Sequence, residues 1–330
     1  MPSQLIDKFN RKITYVRLSV TDRCDFRCVY CMGDKMTFLP RVQLLTLEEL
    51  EWLGCAFIEL GVTKIRITGG EPLIRTNILR LFQGLGKLKG LKELVLTTNA
   101  SQLVKMAQPL KEAGVKRINI SLDTLKAARF QKMTRTDKLE KVLRGIDAAI
   151  QAGFKRIKIN AVVLKNRNHD EVIDLVRFAV DKGIDISFIE EMPLGEIGEH
   201  DRAEAFYAST QIRQDIETSF TLLPSLETTA GPSRYYKVIG TETRVGFISP
   251  HSHNFCDSCN RVRVTTDGLM LLCLGQEHSV DLRRIIRANP GNLIPLKQAI
   301  VNAMAFKPKS HEFDFDEQPK ILRYMNVTGG

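Results

Sequence analysis

Residues 46–72 read TLEELEWLGCAFIELGVTKIRITGGEP, and their order of signals decides the fold. Thr46, with Glu49 three residues on, forms a capping box that opens a helix. An amphipathic run follows and stops at Gly61, a residue type that takes the left-handed conformation past a helix C-terminus at low cost. Lys64–Thr68 is then a strand, and it ends in Gly69-Gly70-Glu71-Pro72. The pattern recurs: Glu112-Ala113-Gly114 leads into Arg117–Ser121, Gln151-Ala152-Gly153 into Arg156–Leu164, and Asp181-Lys182-Gly183 into Ile184–Ile189. Tyr15–Val20 and Glu93–Thr97 supply two further strands. Six strands alternating with helices predict a parallel α/β sheet with crossover helices. Periodicity does not separate an open doubly wound sheet from a closed or partial barrel. Both bind ligands at the carboxyl ends of their strands. Those ends are Thr21–Tyr30, Gly69–Pro72, Thr97-Thr98-Asn99, Ser121-Leu122-Asp123 and Glu190–Pro193, and their polar, Gly- and Pro-bearing character points to a site.

Beyond residue 195 the pattern changes. Leu194–Glu204 reads as a loop, Thr210–Ser219 as a helix, Pro224–Pro232 as irregular, and Tyr235–Ile239 and Arg244–Ile248 as short strands. This predicts a division near residue 215: an α/β unit over 1–215 and a smaller α+β region over 216–330, packed together without a long linker. A length of 330 residues suits two domains. With 43% hydrophobic and 26% charged residues the composition is that of a soluble globular chain. No apolar run approaches the ~20 residues needed to cross a bilayer, and Met1–Lys12 holds no signal-peptide core. No membrane partner is expected, and the cytoplasm is. The 48 basic against 38 acidic residues give +10, a field that favours anionic partners. A phosphate-bearing small substrate would benefit from the same field as a nucleic acid; the charges are spread rather than gathered in a basic tail, which weakens the nucleic-acid reading, and no nucleic acid is expected.

The seven cysteines fall as three, three and one. An odd count argues against a disulfide framework. Cys55, inside Trp52–Phe57, is expected in the core. Cys24-x3-Cys28-x2-Cys31 follows the first strand, and three thiolates on one loop can hold three irons of a [4Fe–4S] cluster while the fourth iron stays without a protein ligand. Structural zinc calls for four ligands, and no histidine lies near this triad. Cys256-x2-Cys259-x13-Cys273 repeats the arithmetic, but His251 and His253 lie just upstream. From spacing alone zinc and iron–sulfur both stay open there.

The cysteine spacing at 24–31, with Gly69–Pro72 on the next strand end, resembles the radical S-adenosylmethionine (SAM) superfamily. Asn260-Arg261-Val262-Arg263, Thr265–Gly268 and Leu272-Cys273-Leu274 resemble the end of the molybdenum-cofactor biosynthesis protein A family. Arg17–Cys24, Ile65–Pro72, Thr97–Asn99, Asn119–Asp123, Phe188–Met192 and the terminal Gly329-Gly330 extend that likeness over nearly the whole chain. Gly33, Ala100 and Val262 depart from it, where proline, glycine and alanine are usual.

The resemblance implies a partial (β/α)6 barrel, a lyase of the GTP 3′,8-cyclase type, and two [4Fe–4S] clusters. Cys24, Cys28 and Cys31 would hold the first, and Cys256, Cys259 and Cys273 the second. Reductive cleavage of SAM would give a 5′-deoxyadenosyl radical. That radical would take the 3′ hydrogen of GTP, and attack on guanine C8 would give the 3′,8-cyclo-7,8-dihydro nucleotide. The resemblance carries Tyr30, Gly70, Ser121 and Met192 over to SAM. It carries Arg17, Arg66, Thr97, Lys158, Arg261, Val262 (through its backbone) and Arg263 over to GTP, and the double glycine into the active site. It also implies an electron donor of flavodoxin or ferredoxin type and cyclic pyranopterin monophosphate synthase as the partner downstream. A homodimer is left open. A basic zinc-ribbon protein would account for the charge and Cys256-x2-Cys259, but leaves the first triad, Gly69–Pro72 and the tail unexplained.

Overall fold

Each helix–glycine–strand unit closes as its sequence dictates: Gly61, Gly114, Gly153 and Gly183 all adopt positive φ, from 64° to 93°, between the end of a helix and the strand that follows. The computed structural model describes residues 4–33, 36–195, 197, 202–227, 229, 231–313 and 321–329. Its strands are β1 Tyr15–Ser19, β2 Lys64–Thr68, β3 Glu93–Thr98, β4 Val115–Ser121, β5 Ile157–Val163 and β6 Asp185–Glu190. The main crossover helices are α1 Leu47–Glu59, α2 Ile78–Gly86, α3 Leu103–Glu112, α4 Ala127–Thr134, α5 Leu139–Gln151 and α6 Val172–Lys182. The capping box at Thr46 and Glu49 is present at the head of α1.

The C-terminal part does not build a sheet of its own. Strands β7 Leu222–Pro224, β8 Arg234–Val238, β9 Arg244–Ile248, β10 Arg261–Val264, β11 Leu269–Leu271 and β12 Ser279–Asp281 extend both edges of the first one. The order is β12-β11-β10-β1-β2-β3-β4-β5-β6-β9-β8-β7. β10 runs parallel beside β1 and β9 parallel beside β6, while the outermost pairs are antiparallel. Helix Ser209–Glu217 runs across residue 215, and β7 ends on Pro224, the first residue of the stretch expected to be irregular. Arg202–Ala205 forms a short helix within the expected loop.

Both faces of β2 are buried, yet they differ in chemistry. Ile65 and Ile67 join the apolar core. Lys64 and Arg66, on the opposite face by the two-residue strand period, line an internal cavity. The core thus sits between sheet and helices, and a polar interior sits on the other side of the sheet. Cys55 departs from its expected place in the core: it lies on the half-exposed flank of α1, because the apolar stripe of that helix runs through Leu50, Leu53, Ala56 and Phe57.

Candidate active site

Register brings basic side chains together from separated segments. Arg17 on β1 lies opposite Arg66 on β2 and Arg263 on β10. Thr97, Asn119 and Lys158 align across β3, β4 and β5. One cavity is lined by Arg17, Lys64, Arg66, Arg117, Lys158, Arg261 and Arg263, with no Asp or Glu among its described lining residues. Four of these cations, Lys64, Arg66, Arg117 and Lys158, are buried.

Their partners only partly offset that charge. Glu93 bridges Lys64 and Arg117, each at 2.7 Å. Arg66 donates to Thr97 Oγ1 at 2.8 Å and to the Tyr15 hydroxyl. Lys158 donates to Ser187 Oγ and the Tyr235 hydroxyl, both at 3.0 Å. Burial, then Arg117 beside it, brings the Lys64 ammonium down to about 8. Burial, then Arg261, brings Arg263 down to about 10. Burial alone would raise the Tyr15 hydroxyl, but Arg66, Arg17, Lys64 and Arg261 outweigh it and lower it to about 7. Buried polar atoms without a hydrogen-bond partner include Arg117 Nε, Asn119 Oδ1, Asn160 Oδ1 and Arg261 Nε, all on lining residues. Desolvated cations crowded in this way are costly unless an anion joins them.

A second cavity adjoins the first and shares Thr97, Asn160, Ile189, Met192 and Met325 with it. Cys24, Cys28 and Cys31 line it, with Tyr30, Gly69, Gly70, Ser121 and Asp123. The Gly69–Pro72 segment is pinned against the cysteine loop: Gly70 N–H donates to the Thr21 carbonyl at 2.7 Å and Glu71 N–H to that of Arg23 at 2.9 Å. A Cβ on Gly70 would stand 2.4 Å from the Arg23 carbonyl oxygen, so only glycine allows this approach. The buried Glu71 carboxylate accepts from Leu73 N–H, Asn99 N–H and Thr98 Oγ1, tying two strand ends together. Tyr30 donates to Asp123 Oδ2 at 2.6 Å, and burial holds Asp123 up at about 6.

Cys256, Cys259 and Cys273 line the first cavity along with Phe255, His311 and Phe313. His251 and His253 are not among its described lining residues: His251 Nε2 meets the Glu191 carbonyl at 3.0 Å, and His253 is exposed. The chain's end arrives at the same place. The Gly329 carbonyl accepts from Arg263 at 2.6 Å and from Arg17 at 3.2 Å. Gly330 lies outside the described residues.

The profile of the Radical SAM superfamily matches residues 18–179, and that of Molybdenum Cofactor Synthesis C matches 184–313. A GTP 3′,8-cyclase of Saccharophagus degradans is 59% identical over 328 residues, 99% of each chain. The chain belongs to the GTP 3′,8-cyclase family. Family members of the same name from Ectopseudomonas mendocina and Pseudomonas entomophila are 58% and 57% identical, again over at least 99% of both chains. Among solved structures, Streptococcus suis SuiB bound to its precursor peptide SuiA shares the fold at TM-score 0.62 and 18% identity, covering 95% of this chain and 78% of that one. SuiB bound to S-adenosylmethionine gives 0.61 at 17% identity, over 86% and 68%. The family's radical SAM membership implies SAM and a [4Fe–4S] cluster for this chain.

The residues at Cys24–Cys31 fit that cluster. Burial pushes all three thiols up, Cys31 to about 12, so their thiolates need a cation to form. Three soft sulfur donors on one loop, with no further Cys or His among the cavity's described lining residues, would hold three irons of such a cluster and leave the fourth for SAM. Tyr30, Gly70, Ser121 and Met192 lie in this cavity. Arg17, Arg66, Thr97, Lys158, Arg261, Val262 and Arg263 lie in the cationic one. Sequence reasoning did not single out Lys64, Arg117, Tyr15 or Asn160, and it gave Asn119 and Asp123 only within a quoted segment, without a role. Strand alternation was the available signal, since Lys64 stands two before Arg66, Tyr15 two before Arg17, and Arg117 two before Asn119.

Proposed function

We propose that this chain is a GTP 3′,8-cyclase that converts GTP to 3′,8-cyclo-7,8-dihydro-GTP, with Arg17, Arg66, Lys158, Arg261 and Arg263 on the triphosphate and nucleoside. The observation that carries the reading is the cavity of seven cations without a described carboxylate, adjoining the cavity of the first triad through shared lining residues. A nearly tetra-anionic nucleotide supplies the charge that these cations lack. When bound, the cluster and SAM supply a 5′-deoxyadenosyl radical at the first triad. The chain's own part is to bind and orient. Arginines grip phosphate in planar, bidentate fashion. Asn119 and Asn160 offer carbonyl oxygens to the nucleoside, Thr97 and Met192 stand where the two cavities meet, and Tyr30, Gly70 and Ser121 shape the SAM end.

Cys256, Cys259 and Cys273 would hold a second [4Fe–4S] cluster at the nucleoside's end of the cavity. Support comes from three cysteines on one cavity wall whose upstream histidines are engaged or exposed elsewhere, while His311, which lines the same cavity with a buried Nε2, keeps zinc as the competing metal for the test below. The division into residues 1–215, with the SAM site, and 216–330, with the second triad and tail, is then a division of chemistry rather than of packing. Reductive SAM cleavage calls for a one-electron donor of flavodoxin or ferredoxin type, and the product would pass to cyclic pyranopterin monophosphate synthase. Among the described residues no helix is long and apolar enough to cross a membrane, and a reducing cytoplasm suits cysteine-bound clusters.

Anaerobic incubation of the reconstituted protein with SAM, GTP and a strong reductant tests the activity. Methionine, 5′-deoxyadenosine and a cyclised guanine nucleotide should appear together; 5′-deoxyadenosine without any cyclised nucleotide would refute the substrate. Iron analysis tests the second site. Wild type should carry about eight irons, on the two-cluster reading, and Cys256→Ala, Cys259→Ala or Cys273→Ala about four. Those variants should still cleave some SAM but not cyclise GTP. Stoichiometric zinc in the wild type would instead make the second triad a structural site.

A further inference from the structure

Lys307 is a buried lysine that the reaction above leaves unused. It is 1% exposed. Its Nζ donates to the Arg261 carbonyl at 3.0 Å, to the Leu272 carbonyl, and to Cys259 Sγ at 3.6 Å. Its partners are thus one cysteine of the second triad, the neighbour of another, and the strand that carries the paired arginines. Among the described residues no carboxylate pairs with it. A buried ammonium needs a counter-charge, and the negative groups within its reach are thiolates.

The segment carrying Lys307 is held from the opposite end of the chain. Arg11 donates to the carbonyls of Pro308 and Lys309, at 2.5 and 2.8 Å, and to that of Cys256 at 2.8 Å. Unlike Lys307, Arg11 has its own counter-ion, Asp7 at 2.6 Å. One cation therefore fastens the backbone, and the other brings net charge to sulfur.

We propose that Lys307 is a positioning residue of the second cysteine site, its ammonium balancing the thiolates of Cys256, Cys259 and Cys273 and raising the reduction potential of the cluster they hold. This rests on the second-cluster reading. Three thiolates on a doubly positive [4Fe–4S] core leave one net negative charge, and reduction adds another. A cation and a hydrogen bond at sulfur stabilise the reduced form more than the oxidised one, so removing them lowers the potential.

The test uses the full chain reconstituted anaerobically, as wild type, Lys307→Met, Lys307→Gln and Lys307→Arg. Iron is counted, and both clusters are titrated by electron paramagnetic resonance, the first serving as internal reference. In Lys307→Met and Lys307→Gln the oxidised-to-reduced ratio of the second cluster at fixed potential should rise about tenfold, a shift of about 59 mV for one electron. Lys307→Arg should restore it, and the first cluster should not move. An unmoved second midpoint in Lys307→Met and Lys307→Gln at full iron content overturns the proposal. If the neutral variants retain only about four irons on the two-cluster reading, an Arg variant with the full complement supports the charge. An Arg variant that also loses half its iron shows a packing role and overturns it. A wild type with one cluster, or with zinc, removes the second-cluster reading before any variant is examined.

Discussion

Lys64 holds its charge under strain. Its ammonium is buried, faces Arg66, Arg117 and Tyr15, has Glu93 at 2.7 Å, and donates to the Thr229 carbonyl at 2.8 Å. At neutral pH it is mainly protonated, and it loses its proton as pH rises through about 8. A bound triphosphate favours the charged form, so GTP binding takes up a proton in that range. The sign follows: affinity weakens as pH rises above about 8, with a slope approaching about tenfold per pH unit for one proton. Lys64→Met should bind GTP more weakly at pH 7 and lose that limb. Calorimetric affinities between pH 7 and 9 check this; an unchanged limb in the variant would place the titration on another group. Tyr15 acts in the same direction at lower pH, because its phenolate opposes an incoming anion from about 7 upward, and Tyr15→Phe should remove that contribution.

Between strand and helix, Gly145 sets how closely α5 approaches the site. A Cβ there would stand 2.3 Å from the carbonyl oxygen of Ala100, the residue after Thr98-Asn99. Ala100 itself has φ 66°, a left-handed conformation that a residue with a Cβ adopts only at a cost. Gly145→Ala should therefore cost about 1–3 kcal/mol, the usual range for overpacking. By shifting Asn99, which bonds Glu71 and Asp25, it should also slow SAM cleavage. Denaturant unfolding and 5′-deoxyadenosine yield measure the two effects; full stability would mean that α5 moves away freely. Elements of this size were largely legible in the sequence. β2 and β9 fall on the expected residues, and the other early strands within two, since helix-ending glycines and β-branched runs are local signals. β10, β11 and β12 have only three or four residues each, too few for periodicity, and what defines them is pairing with distant partners such as β1. For Lys64 and Arg117 alternation was a signal but an ambiguous one: a charged residue alternating with Ile or Val also reads as a solvent face, and here that face lines the internal cavity.

Across the whole molecule, the first strand and the last described residues meet at the centre. β1 carries Arg17 into the cavity, β10 carries Arg263 beside it, and the last described residue, Gly329, accepts hydrogen bonds from both. The short helix Met325–Thr328 is anchored by Asn326, which donates to the Asp22 carbonyl at 2.7 Å on the first cysteine loop. Met325 lines both cavities. The short helix thus helps to seat the tail, and Gly329, without a side chain, adds little apolar burial. Gly329 has φ 78°, and a Cβ on it would come within 2.2 Å of Thr68 Cγ2 at the end of β2, so the position has no room for a side chain. Deleting Gly329 and Gly330 removes no core residue, and unfolding stability and iron content should stay as in the intact chain. Arg17 and Arg263 nevertheless lose a shared acceptor within the proposed nucleotide site, so GTP cyclisation should collapse while SAM cleavage persists. Gly329→Ala should give the same split by a different route, since the tail is present but forced away from Thr68. Product analysis of the three chains decides it: cyclised nucleotide at intact-chain yield from the truncated protein would show that the tail only rests in the cavity, and an alanine variant as active as wild type would show that Thr68 yields to it.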